Sequence, residues 1–342
     1  MLFRSCNPRA LYDYIDANHP EYECIWSVND LRIPVTGKGK RVLTNSLPYF
    51  YYMARASFFV NNVNFVDAYE KRRGQIEIQT MHGTPLKTLG LDVKADFPTE
   101  ESVKSFLRRC GRWDYLIVQS PKVEEITKSC YAFDRTFLRT GYPRNDELML
   151  RNTAEEQRRL KQAMGIDPDT KLVLYAPTWR TSGRFDLQLD FNQLADAFGD
   201  GYTFALRRHH LAMPGFTHQF RMGDTVDLTF EKSIDDVLLA TDVLITDYSS
   251  LMFDFALLHR PMLFFVYDLE AYRDELRDFN IDLETEAPGP LAKTTEEIVD
   301  ELRKLESEDA NVSLDSFIQT YLPYETGHAS HDVFEQVIAK KH

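Results

Sequence analysis

Basic, imidazole and hydroxyl side chains gather in this chain just beyond short apolar runs. The run Val243, Leu244, Ile245 stops at Thr246, Asp247, Tyr248, Ser249 and Ser250, after which Leu251, Phe255 and Leu258 recur at helical spacing. The free backbone N–H groups of such a helix start, together with the helix dipole, make a site for an anion, and phosphate is the natural guest. Capping of the helix by Asp247, Ser249 or Ser250 is the competing reading, since these residue types are what a helix start prefers. Three more strand patterns end alike: 76–80 at His82, Gly83 and Thr84 with Lys87 close behind, 171–175 at Thr178 and Arg180, and 202–206 at Arg207, Arg208, His209 and His210. An imidazole titrating near neutral pH can move a proton, and guanidinium and hydroxyl groups can hold phosphate. Taken singly, each residue also has a plain structural reading; His82 could be a satisfied turn histidine.

The elements that must position these residues alternate. Helical periodicity over 7–18 is followed by a strand pattern at 22–28, a basic glycine-containing loop at 37–41, and an aromatic segment at 49–60 that reads as a helix running into a strand. Those aromatic residues and nearby lysines also admit an interfacial membrane role, although ordinary core packing explains aromatic stripes more often. Further strands are expected at 113–118, 136–140, 226–230 and 262–266, with helices at 153–164, 191–198, 234–239, 295–305 and 332–340. Strands alternating with helices predict open parallel sheets, in which residues at the carboxyl ends of the strands face one crevice. A boundary near Gly165 to Pro168 divides the chain into an N-terminal lobe at 1–150, a linker at 151–168, a C-terminal lobe at 169–322, and a C-terminal helix within 323–342 expected to pack back on the first lobe.

Composition bounds the partners. The 342 residues suit two domains, and 43% hydrophobic with 27% charged residues are globular values. A formal charge of -13 argues against a general nucleic-acid binder, so an anionic ligand needs a local basic patch. Cys6, Cys24, Cys110 and Cys130 form no C-x-x-C pair and suggest neither a zinc cluster nor a disulfide framework, which fits a reducing compartment. No signal peptide is evident, and the most apolar stretch, 251–269, is broken by Asp254, His259, Arg260 and Pro261, so a soluble or surface-bound protein is expected.

The segments His82 to Lys87, Tyr175 to Arg180, Leu206 to His209, Leu244 to Asp254 and Tyr267 to Asp274, in this order and approximate spacing, resemble the successive motifs of the CDP-glycerol glycerophosphotransferases, the teichoic-acid primases and polymerases of Gram-positive bacteria with relatives that build capsules. Gly327 to Ser330 resembles a glycine-containing segment near the family's C-terminus, and the likeness spans nearly the whole chain. It departs at the start, where only Leu2 to Ser5 precedes the first helix, and at His210, which follows His209 where relatives vary.

The resemblance implies an α/β protein of the GT-B type, two Rossmann-like lobes with parallel sheets facing a central cleft. The implied reaction transfers glycerol phosphate from CDP-glycerol to a hydroxyl of a lipid-linked acceptor and releases CMP. His82 is then the base that takes the hydroxyl proton, with Gly83, Thr84 and Lys87 on the acceptor side. His209 and Arg207 cancel charge on the diphosphate, and Thr178, Arg180, Thr246, Asp247, Ser249 and Ser250 complete the donor site. No Asp-x-Asp precedes the acceptor motif and the histidines lack zinc spacing, so no tightly bound metal is expected, with Mg²⁺ at most loosely associated with the diphosphate. Implied partners are CDP-glycerol, a lipid-linked polyol-phosphate or glycan acceptor and the inner face of the cell membrane, with a cytoplasmic, peripheral location and no nucleic acid. A CDP-ribitol enzyme, a nucleotide-sugar glycosyltransferase on the same fold and a non-catalytic teichoic-acid-binding scaffold are the alternatives.

Overall fold

Parallel strands covered on both faces need continuous apolar runs, and the runs read above form two separate sheets of that kind. The computed structural model describes residues 6–178, 187–208, 225–275, 279–306 and 314–341. The chain forms two compact units, Met1–Thr84 with Leu89–Glu147 and Thr320–His342, and Pro85–Thr88 with Leu148–Gln319.

In the first unit, β1 (Ile25–Val28) and β2 (Lys40–Leu43) pair in parallel. The larger sheet runs β3 (Phe58–Asn61), β4 (Ile76–Gln79), β5 (Tyr115–Ile117) and β6 (Thr136–Leu138), again all parallel. Ile78, Leu116, Ile117 and Leu138 from this sheet pack with Leu11 and Ile15 of the helix Asn7–Asn18 and with Val333, Phe334, Val337 and Ile338 from the end of the chain. Residues 323–342 therefore belong to this unit. The aromatic segment divides into the helix Leu47–Arg55 and β3, and Tyr49, Met53 and Phe59 join a smaller core with Tyr69.

The second unit holds one parallel sheet built from β7 (Lys171–Ala176), β8 (Tyr202–Leu206), β9 (Val226–Asp227), β10 (Val243–Thr246), β11 (Met262–Phe265) and β12 (Leu291–Ala292). Its order, β12-β11-β10-β7-β8-β9, reverses direction between β7 and β10. All four residues of β10 are buried, as a strand covered on both faces requires. The strand expected over 226–230 shrinks to two residues, and the helix expected through Leu258 spans only Leu251–Ala256, ending before His259 at φ 54°. The helix expected at 153–164, inside the segment 151–168 read as a linker, spans Ala154–Ala163 and is fastened within the second unit. The nearly buried Lys161 Nζ lies 2.6 Å from Asp242 Oδ2, and Gln157 donates to Asp242 Oδ1 at 2.8 Å.

Candidate active site

β4 delivers His82. The strand ends at Gln79, Thr80 is fully buried, and Met81 turns the chain with φ 54°, a left-handed conformation that costs a non-glycine residue free energy. That turn is held from both sides: Asn7 Nδ2 donates to the carbonyls of Thr80 at 2.8 Å and Met81 at 3.0 Å, and the Met81 N–H donates to Gln79 Oε1 at 3.0 Å. His82 emerges exposed, its Nδ1 3.2 Å from the Asn62 carbonyl oxygen. A carbonyl only accepts, so Nδ1 carries the proton in the neutral ring and Nε2 keeps the lone pair that can act as a base.

The next two residues are anchored to the protein. Tyr142 Oη donates to the Gly83 carbonyl at 3.2 Å, and Arg144 Nη1 donates to the His82 carbonyl at 2.8 Å. Thr84, 4% exposed, donates its hydroxyl to Gln119 Oε1. A hydroxyl so placed helps to shape the turn. Lys87 falls in the second unit, where its Nζ donates to Tyr272 Oη and lies 5.0 Å from that ring's centroid. Tyr272 in turn stacks on the buried Tyr248, ring centroids 4.0 Å apart, and Tyr248 Oη donates to Asp268 Oδ1 at 3.0 Å.

The donor-side residues of the described chain collect at the carboxyl ends of β7, β8 and β10, across the point where the strand order reverses. That point is where open α/β sheets leave a crevice. Asp247 is fully buried there and accepts the Thr178 N–H at 2.8 Å and the Thr178 hydroxyl at 2.5 Å. Thr246, also fully buried, donates to the Ala176 carbonyl at 2.9 Å. These two side chains tie the β7 and β10 ends together. Ser249 and Ser250 are half-buried beside them; Ser249 Oγ accepts the Leu251 N–H at 3.2 Å. The Arg207 guanidinium turns onto the carbonyls of Leu228 at 2.5 Å and Glu231 at 3.1 Å, and burial pulls its pKa below the usual value. Its neighbour Arg208 is buried with Asp227, Nη2 to Oδ2 2.8 Å. Arg180, His209 and His210 lie outside the described residues. Among the described residues, no group of three or more His, Cys, Asp or Glu side chains is placed to hold a metal ion.

The profile of the CDP-glycerol:poly(glycerophosphate) glycerophosphotransferases matches residues 3–339. The chain belongs to this family. It is 40% identical to the teichoic acid poly(glycerol phosphate) polymerase of Bacillus subtilis strain 168, a match covering 97% of this chain and 47% of that protein. It is 36% identical to the polymerase of the same name from Bacillus spizizenii W23, covering 98% of this chain and 89% of the relative. The wall teichoic acid polymerase TagF superposes with a TM-score of 0.89 at 32% identity, covering 99% of this chain and 86% of TagF; a histidine-to-asparagine variant soaked with CDPG superposes at 0.88.

For this glycerophosphotransferase family member, sequence reading found the turns and missed what holds them. Asn7, Gln119, Tyr142, Asn145 and Glu325 were not singled out, nor were the pairing of Thr178 with Asp247 or of Lys87 with Tyr272. Segment 327–330 stood out by its glycine, and Gly327 at φ 78° follows Glu325 by two residues, while Gly141 at φ 76° precedes Tyr142.

Proposed function

We propose that the chain transfers glycerol phosphate from CDP-glycerol to a hydroxyl of a lipid-linked teichoic-acid or capsule-type acceptor, on a GT-B frame. The attacking hydroxyl oxygen bonds to the phosphorus that carries glycerol, the bond from that phosphorus to the bridging oxygen breaks, and CMP leaves with the electron pair. His82 Nε2 takes the hydroxyl proton, and positive charge and backbone N–H groups at the carboxyl end of the β7–β10 sheet offset charge on the departing CMP. Any Mg²⁺ arrives with the diphosphate. The observation that best supports the reading is His82 itself: an exposed imidazole whose Nδ1 is committed to a carbonyl, so that Nε2 stays open.

The test is CMP release from CDP-glycerol with a lipid-linked acceptor, against UDP release from UDP-sugars. CMP release is expected, and His82→Ala should lower kcat by about 100- to 10,000-fold with an unchanged circular dichroism spectrum. UDP release without CMP overturns the proposal, and full activity of the variant overturns the role of His82.

We also infer peripheral attachment to the inner face of the cell membrane. No helix among the described residues is long and apolar enough to cross a membrane, while Leu43, Leu47, Phe50 and Tyr51 are exposed on β2 and the helix Leu47–Arg55. Co-sedimentation with anionic vesicles should fall at least several-fold in a Leu47→Ser, Phe50→Ser variant; undiminished binding would end that inference.

A further inference from the structure

Two successive residues of the proposed catalytic turn, Gly83 and Thr84, are bonded by residues that also bond one carboxylate. Glu325 is 9% exposed, and its Oε1 accepts from Gln119 Nε2, from the Tyr142 N–H at 3.0 Å and from Asn145 Nδ2 at 3.0 Å. Gln119 and Tyr142 lead back to the turn, and Asn145 holds the segment beside Arg144. Gln119 accepts the Thr84 hydroxyl, Tyr142 donates its phenol to the Gly83 carbonyl, and Arg144, between Tyr142 and Asn145, donates to the His82 carbonyl.

The polarity of this chain is fixed by its end. Glu325 Oε1 accepts the Tyr142 backbone N–H and is therefore an acceptor, so the amide nitrogen of Gln119 faces Glu325, its oxygen faces Thr84, and the Thr84 hydroxyl donates. One orientation of one amide therefore sets one rotamer of the threonine that follows His82 and Gly83. The backbone makes room for the carboxylate: Gly141 has φ 76°, and a Cβ there would come within 2.5 Å of Glu325 Oε2. The segment carrying Glu325 is itself fastened, since the Tyr324 N–H donates to the Gln119 carbonyl at 3.1 Å and Asp146 accepts the N–H groups of Ala329 and Ser330 at 2.8 Å each.

We propose that Glu325 is a positioning residue for the transfer reaction, setting the His82–Gly83–Thr84 turn through Gln119, Tyr142 and Asn145. It touches neither donor nor acceptor. Its contribution is the aim of the His82 ring, and a displacement of that ring by a fraction of an ångström should appear in turnover while CDP-glycerol binding is spared. The inference rests on the proposed function only for its kinetic arm.

The test is a double-mutant cycle of Glu325→Gln and His82→Ala, with CMP release followed across pH and Thr84→Val measured alongside. Glu325→Gln keeps the size and shape of the side chain and an oxygen for the three donors, so it should fold. Expected are a loss in kcat of about 10- to 100-fold with KM for CDP-glycerol within about twofold, a displaced pH profile, and no further loss from Glu325→Gln once His82 is absent. An independent arm needs no turnover: the ¹⁵N shifts of the His82 ring should report the Nδ1–H tautomer in the parent protein and a changed tautomer balance in Glu325→Gln and Thr84→Val. Additive losses in the cycle, or unchanged His82 ring shifts in both variants, overturn the positioning role. Absence of CMP release from the parent protein with the shifts moving as expected overturns the proposed reaction and leaves the positioning role standing.

Discussion

Glu77 sits on β4, five residues before His82, with none of its surface exposed. Burial is the dominant influence and pushes its carboxyl pKa up to about 7, against the Arg112 and Lys71 cations, which pull it down, and the Asp114 carboxylate, which adds to the rise. Tyr69, Tyr49 and Asn61 complete its surroundings. The folded protein therefore binds a proton that the unfolded chain, with an ordinary glutamate, gives up earlier. Stability from this group is complete below the unfolded pKa, is lost as pH rises through about 7, and is flat above. Between pH 5.5 and pH 8 that loss amounts to about 2 kcal/mol. Glu77→Gln should remove this part of the slope and make the protein more stable than its parent at pH 8. Denaturant midpoints at both pH values check it; the same slope in both proteins would show that Glu77 is not protonated in the fold. The proteins should differ little in activity at pH 6, because Glu77 is wholly buried within β4, His82 is bonded to Asn62 and Arg144, and Asn7 holds the two residues before it.

At the scale of elements, legibility follows burial and contact order. β10 and β7 were readable because both faces of a central parallel strand are apolar, which leaves an uninterrupted run, and β4 because Ile76 and Ile78 alternate with Glu77 and Gln79 at strand period. β2, with Lys40, Arg41 and Leu43 exposed, has no such run and read as a basic loop; β12, with two residues, is too short for any pattern. The strand-to-turn logic found His82 and the Thr246–Ser250 turn, since a buried run stopping at polar residues is a local signal. Burial then divided the expected donor residues. Ser249 and Ser250 stay half-open, whereas Asp247 and Thr246 go inside and bind the β7 turn across 69 and 70 residues of sequence. The Glu325 scaffold was illegible for the same reason: its bonds to Gln119, Tyr142 and Asn145 span 206, 183 and 180 residues, and no spacing rule reaches that far.

For the molecule as a whole, the consequential feature is that the end of the chain completes the unit that begins it. Val333, Phe334, Val337 and Ile338 are each at most 3% exposed and lie in one core with Ile78, Leu116 and Ile117 of β4 and β5. Four such side chains contribute roughly 6–12 kcal/mol of burial at 1.5–3 kcal/mol each, which is comparable to the whole stability of a domain. Truncation before Leu322 would also strip Asp146 of two N–H donors in a site where burial already raises its pKa, and would leave Gln119, Tyr142 and Asn145 without Glu325. The second unit draws its core from Val173, Phe204, Ile245, Leu263 and Ile298, all outside the deleted segment. Hydrogen exchange of the truncated chain should therefore show protection lost across β3 to β6 and retained across β7, β8, β10 and β11. Protection retained in both sheets would mean that the C-terminal residues decorate the first unit without completing its core; protection lost in both would mean that the second unit cannot hold its fold unaided.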